Sequence, residues 1–174
     1  RHNYKTAGER DAELKPIIMG LDFKKLTDPS LLGRIPFAGP IVSLLTRLGI
    51  YQGDYFLGLM RELLAAKGIR TFKDLLLEEY ATEAQYRHKL QVVAADVSRG
   101  RMLVLPADLR TYGLVPDDFE VALAVRMSMS IPFFFQPVRL RHAGGATSLV
   151  VDGGLLSNFP LGLFDSPGVP LWPT

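Results

Sequence analysis

The chain has 174 residues, 48% hydrophobic and 22% charged, so it is long enough for one domain with a buried core and too apolar to be disordered. Its 20 basic and 18 acidic residues leave a formal net charge of +2, and with no long basic run and no binding motif this argues for no nucleic-acid partner. It has no cysteine, which excludes disulfides, thiolate catalysis and cysteine-bound zinc without fixing a compartment.

In chain order, the acids Glu9, Asp11 and Glu13 ahead of Lys15 predict a polar helix over 8–20, weakened by Pro16. Residues 21–40 are rich in breakers, with Pro29, Pro36 and Pro40. Ile41, Leu44, Leu45 and Leu48 then recur at helical spacing, with Gly49 placed as the C-terminal cap. Residues 53–68 form a stronger helix, Asp54 standing where it caps the start. Phe56, Leu59, Met60, Leu63 and Leu64 share one face, and Gly68 stops it. Thr71 and Asp74 have near capping-box spacing ahead of another short helix. Residues 40–80 are therefore expected as two or three amphipathic helices packed side by side. The greasiest long segment, Leu31 to Tyr51, contains Arg34, Arg47 and two prolines. It lacks the roughly 18–20 uninterrupted apolar residues of a spanning helix.

The texture changes at Leu90. "LQVVAAD" is short, apolar and β-branched, hence a buried strand. "RGRMLVLP" is a second strand after a turn at Ser98–Gly100. "PDDFEVALAVRMSMS" reads as a helix with Pro116, Asp117 and Asp118 at its N-terminus. "IPFFFQPV" is extended and aromatic. "VRLRH" and "TSLVVD" form a hairpin across "AGGA", and "SNFPLGLF" opens a short helix with Pro160 in its first turn. The alternation of helices and strands argues for an α/β layered domain.

The second arm of that hairpin ends on a carboxylate, Asp152, followed at once by Gly153 and Gly154. A strand end fixes such a group, and the glycines let the backbone turn sharply and leave room for a substrate. Asp-Gly is also a common turn pair, and the same residues suit a carboxylate that only caps the turn.

Upstream, the run Ala124–Val125–Arg126–Met127–Ser128–Met129–Ser130–Ile131–Pro132–Phe133–Phe134 follows a helix, with Ser128 and Ser130 ahead of Pro132 and the phenylalanines. Val151, Asp152, Gly153, Gly154, Asn158 and Pro160 form a second block after the hairpin. Together these blocks resemble the patatin-like phospholipase family, and the likeness extends over most of the chain from about residue 20. The resemblance implies a three-layer α/β domain with a central sheet and flanking helices. It also implies a serine acyl hydrolase whose aspartate, here Asp152, activates a serine directly, with no histidine between them. Gly153 and Gly154 complete that aspartate's motif. The substrate implied is a lipid or another acyl ester, with transient contact at a membrane surface; no cofactor and no metal are implied.

In the family pattern the serine stands in Gly-x-Ser-x-Gly, at a sharp turn between strand and helix, and a glycine-rich loop offers N–H groups to the oxyanion. None of Ser30, Ser43, Ser98, Ser128, Ser130, Ser148, Ser157 or Ser166 lies in such a motif, and no such loop is present. "DVSRG" around Ser98 comes nearest, with Asp96 where the first glycine belongs, and reads better as a turn. Ser128 and Ser130, at a helix end, are expected to bond locally to backbone. The chain starts at Arg1 rather than a methionine and stops at "PLWPT". Residues 1–174 are therefore expected to be part of such a domain, incomplete at both ends, with the nucleophile upstream. The segment 40–80 is cap-like, and 90–165 holds the sheet and the Asp-Gly-Gly motif. The chain alone is expected to lack serine-dependent esterase activity.

His2, His88 and His142 are read as surface residues, His142 standing on the opposite hairpin arm from Asp152. No His-Glu-x-x-His or comparable ligand pattern exists. Phe133, Phe134 and Phe135 are candidates for lining an acyl channel or, equally, for core. Arg139 and Arg141 alternate on one strand and are expected to face solvent. Two other readings keep the fold: a non-catalytic lipid- or protein-binding module, and a general esterase or thioesterase.

Overall fold

A computed structural model describes residues 48–78 and 87–156, with residues 12, 15, 16, 19, 20, 22, 25 and 163 beside them. Of the helix expected over 8–20, Ala12, Lys15, Pro16 and Met19 are helical. The rest of it, the helix expected from 41, the turn-rich stretch 21–40 and the short helix from Ser157 lie outside the described residues, apart from the isolated positions just named.

The described chain runs through strand β1 (Gly49–Tyr51), helix α1 (Asp54–Ala65) and a 3-10 turn (Phe72–Leu75). Strands β2 (Val92–Asp96) and β3 (Arg101–Leu105) follow, then a second 3-10 turn (Ala107–Tyr112) and helix α2 (Val121–Ser128). Strands β4 (Phe133–Phe135), β5 (Val138–Arg141) and β6 (Thr147–Asp152) lead to a last 3-10 turn (Gly153–Leu155). The main sheet has the order β3-β2-β6-β5 with every neighbour antiparallel. A separate two-stranded sheet pairs β1 with β4 in parallel. Helices laid on sheets make this an α/β fold, as the alternation of apolar patterns predicts.

The central strand β2 is apolar on both faces because both are covered: Val92, Ala94, Ala95 and Asp96 are all buried. Helix α2 packs across β2 and β6, and α1 packs on α2. Small side chains make the first contact close, with Ala94, Ala95, Ala122 and Ala124 all 2% exposed or less. Around them Phe72, Leu103, Leu105, Leu109, Val121, Met127 and Val150 are fully enclosed, each contributing about 1.5–3 kcal/mol of burial. By contrast, no residue of α1 is fully buried.

Three local expectations are corrected. Gly49 does not cap a helix; it opens β1, paired with Phe133, and the close Phe135 and Gln136 backbone leaves no room for a Cβ there. Helix α1 is preceded by Gly53 in the left-handed conformation (φ 76°), and Asp54 sits in its first turn rather than capping it. Helix α2 starts at Val121, not Pro116, because residues 117–120 are bound elsewhere. The Asp117 and Phe119 carbonyls accept from Lys73 and Phe72 amides at 2.8 and 3.1 Å, Glu120 bridges Thr71, and the Asp117 carboxylate bonds Arg87 and His88. The capping box at Thr71 and Asp74 does form, on a 3-10 turn instead of an α-helix.

Candidate active site

Asp152 is the last residue of β6 and stands opposite Ala94 of β2. It is half-buried and forms part of the wall of an open cleft of about 400 Å³, together with Phe56 from α1, Gln91 just before β2, Val92 and Val93 at its start, and Val125, Ser128 and Met129 from the α2 side. Its Oδ1 accepts the Gly154 amide at 2.8 Å, so the carboxylate does cap the turn that follows it. No hydrogen bond to Oδ2 occurs among the described residues. One oxygen therefore holds the turn while the carboxyl lines the cleft, and the two sequence readings of Asp152 are compatible in one geometry.

The glycines differ in their reasons. Gly153 is buried, and a Cβ there would lie 2.8 Å from both Val93 Cγ1 and the Val93 carbonyl oxygen. The space it leaves is occupied by strand β2. Gly154 is exposed and supplies the amide that Asp152 accepts.

The aromatic run divides by residue. Phe133 and Phe134 are 68% and 42% exposed, whereas Phe135 is 4% exposed. Phe134 and Phe135 both pack on Tyr51. Phe133 adopts φ 69°, and its neighbour across the pair is flanked by Leu48 at φ 62°, conformations rare for bulky residues.

The serines resolve as follows. Ser128 shares the cleft wall with Asp152 but makes no hydrogen bond with it. Ser130 is fully buried, and its hydroxyl donates to the Arg126 carbonyl at 2.8 Å, the local backbone bond expected of it. Ser98 lies in the β2–β3 turn, where the Asp96 carboxylate accepts the Ser98 and Arg99 amides. Arg139 and Arg141 face solvent, as expected.

His142 is the clearest departure. It is 9% exposed, not a surface residue. Its Nε2 lies 3.0 Å from Ser148 Oγ and its Nδ1 3.3 Å from Arg99 Nη2. Ser148 in turn bonds Asp96, which also accepts the Tyr112 hydroxyl at 2.7 Å. In this chain the serine, not the histidine, is the middle member, and all of its members except Arg99 are buried, so it is not arranged as a Ser-His-Asp triad. Its member on β6, Ser148, stands four residues from Asp152, about 14 Å along the strand at roughly 3.4 Å per residue. Burial alone pushes the Asp96 carboxyl up, but hydrogen bonds from Tyr112, Ser148 and the Arg99 and Ser98 amides outweigh it and hold the pKa below 3.8. Burial, then the bond to Asp96, pushes the Tyr112 phenol far above its ordinary range. His88 is likewise enclosed, against Asp117 and Phe72. No group of side chains with metal-ligand character occurs among the described residues, and no described helix is long and apolar enough to cross a membrane.

Sequence reasoning missed the buried cation near Asp152. Arg126 is 3% exposed in the last turn of α2. Its signal was present: one arginine inside the apolar run "ALAVRMSMS", four residues before a serine.

A sequence model of the family described as Patatin-like phospholipase matches residues 6–165, and the chain belongs to that family. A Bacillus subtilis (strain 168) protein named "Uncharacterized protein YqhO" is 44% identical over 163 residues, which cover 91% of this chain. The chain spans about half the length of that relative, the match covering 50% of it.

Proposed function

We propose that Asp152 is the general base of a serine–aspartate dyad in a lipid acyl hydrolase, and that its serine comes from outside these 174 residues. The observation that carries this reading is the placement of Asp152: a strand-end carboxylate on a cleft wall, one oxygen braced by Gly154, in a chain of this family. The absence of Gly-x-Ser-x-Gly from the sequence supports an external nucleophile.

The chemistry needs no third residue. Asp152 accepts the serine hydroxyl proton as Oγ attacks the ester carbonyl, and passes it to the departing alcohol. It then takes a proton from the water that attacks the acyl-serine, and returns it to the serine as the acid leaves. Oxyanion stabilisation requires backbone N–H groups that this sequence does not carry in a glycine-rich loop, so these too come from elsewhere in the full-length protein. The exposed Phe133 and Phe134, with Ile131, Leu155 and Leu156 also exposed on the two segments that meet at Asp152, suit an apolar acyl chain and contact with a lipid surface.

The test is turnover of phospholipid, neutral-lipid and short-chain esters by the full-length protein and its Asp152→Asn variant. Loss of a positioned general base lowers kcat by roughly 10²–10⁴-fold. An Asp152→Asn enzyme with unchanged kcat contradicts the assignment, and hydrolysis of short esters alone redirects it to a general esterase.

A further inference from the structure

Arg126 places a permanent cation in the interior, which is costly unless every donor is met. Its guanidinium is held by main-chain carbonyls: Nε donates to Gly53 O at 3.2 Å, and Nη2 donates to Gln52 O and, at 3.2 Å, to Gln136 O. Nη1 donates to Ser130 Oγ, and the group lies 5.1 Å over the Phe135 ring. The cradle is built for it. Gly53 is left-handed at φ 76°, and a Cβ there would overlap the guanidinium. One side chain thus ties together the start of α1, the exits of β1 and β4, and the C-terminal end of α2.

The consequence reaches Asp152 through Ser130. The Ser130 hydroxyl is gripped by Arg126 Nη1 and donates to Arg126 O, and its amide donates to Met127 O at 3.1 Å. Both ends of Ser130 are therefore anchored on α2. Its carbonyl accepts the Asp152 amide at 3.0 Å. That bond occurs where the sheet gives no support: β5 pairs with β6 only as far as Val138 opposite Val150. Past Val150 that edge of β6 is open, and the Ser130 carbonyl takes the place of the missing strand.

We infer that Arg126 is a positioning residue for Asp152, acting through Ser130 to fix the main chain from which the carboxylate projects. The inference rests on the reading of Asp152 as the base. Arg126 touches no reacting atom; it sets where the base stands. Lysine, a point charge on a flexible stem, cannot bridge the carbonyls at both sides of the cradle at once, and methionine fills the volume with no donor.

The experiment compares Arg126→Lys, Arg126→Met, Ser130→Ala and Asp152→Asn in the full-length protein, by steady-state kinetics per folded molecule and by amide hydrogen exchange. Both Arg126 variants are expected to lower kcat by roughly 10–100-fold through misplacement of the base. KM stays within about two-fold, and Lys retains more activity than Met. Exchange at Asp152 accelerates while Ala94 and Leu103 stay protected. Ser130→Ala, which keeps the carbonyl but deletes the hydroxyl that the guanidinium grips, moves both readouts the same way by less. Unchanged kcat in Arg126→Met, or activity lost only in step with folded fraction while Asp152 exchange is unaltered, overturns the inference. Full turnover by Asp152→Asn instead removes the dyad reading, and the exchange data then decide on their own whether Arg126 holds the Asp152 amide.

Discussion

Asp96 and Asp152 are both strand-end carboxylates, and their surroundings assign them different work. Asp96 is fully enclosed, with donors from Tyr112, Ser148 and two backbone amides; no substrate reaches it. Because its folded pKa is depressed, its charge stabilises the fold at neutral pH, and that contribution is lost as the pH falls below 3.8 and through the folded value. Tyr112→Phe deletes one donor to a buried charge and costs about 1.5–3 kcal/mol at pH 7. The cost shrinks as acid protonates Asp96, because a neutral carboxyl depends less on the lost bond. Urea unfolding of both proteins from pH 7 to pH 2 checks this; a difference that grows toward low pH contradicts it. Asp152 stood out only with the upstream block beside its motif, because Asp-Gly alone suits a turn equally well. The enclosure of Asp96 and His142 was not readable, since it depends on Tyr112 and Arg99 arriving from the adjoining turns.

The turn after β6 is where packing fixes the position of the proposed base. Gly153 is required by the neighbouring strand: β2 passes so close that Val93 occupies the position of a Cβ. Gly153→Ala forces β2 and the turn apart, costs about 1–3 kcal/mol as overpacking does, and shifts the Asp152 backbone. A fall in kcat alongside a lowered melting temperature is expected, measured on the full-length protein; an alanine variant equal to wild type in both contradicts the packing argument. Elements with strong local patterns were legible: β2, β3, the β5–β6 hairpin and α1 all follow from alternation, apolar runs and helical spacing. Strand β1 was not. Its three residues follow a helical pattern, and its partner, β4, lies far along the chain. The left-handed Leu48 before this pairing and Phe133 within it are of types that signal no turn. The start of α2 was missed for a related reason, since tertiary bonds from residues 72 and 73 claim the segment that Pro116 and two acids would otherwise nucleate.

At the scale of the molecule, the described residues form a four-stranded and a two-stranded sheet with their helices and carry the proposed base, in a span matching about half of a B. subtilis relative. The family was legible because two separated motifs agree, and the fold brings them into contact: the Ser130 carbonyl meets the Asp152 amide. The other half of the proposed chemistry belongs to the rest of the full-length protein. An experimental structure of that protein tests the dyad most directly. The expected result is a Gly-x-Ser-x-Gly serine whose Oγ lies within about 2.6–3.2 Å of an Asp152 carboxylate oxygen, facing the cleft lined by Phe56 and Val125. A nucleophilic serine seated away from Asp152, or paired with a histidine instead, would contradict it.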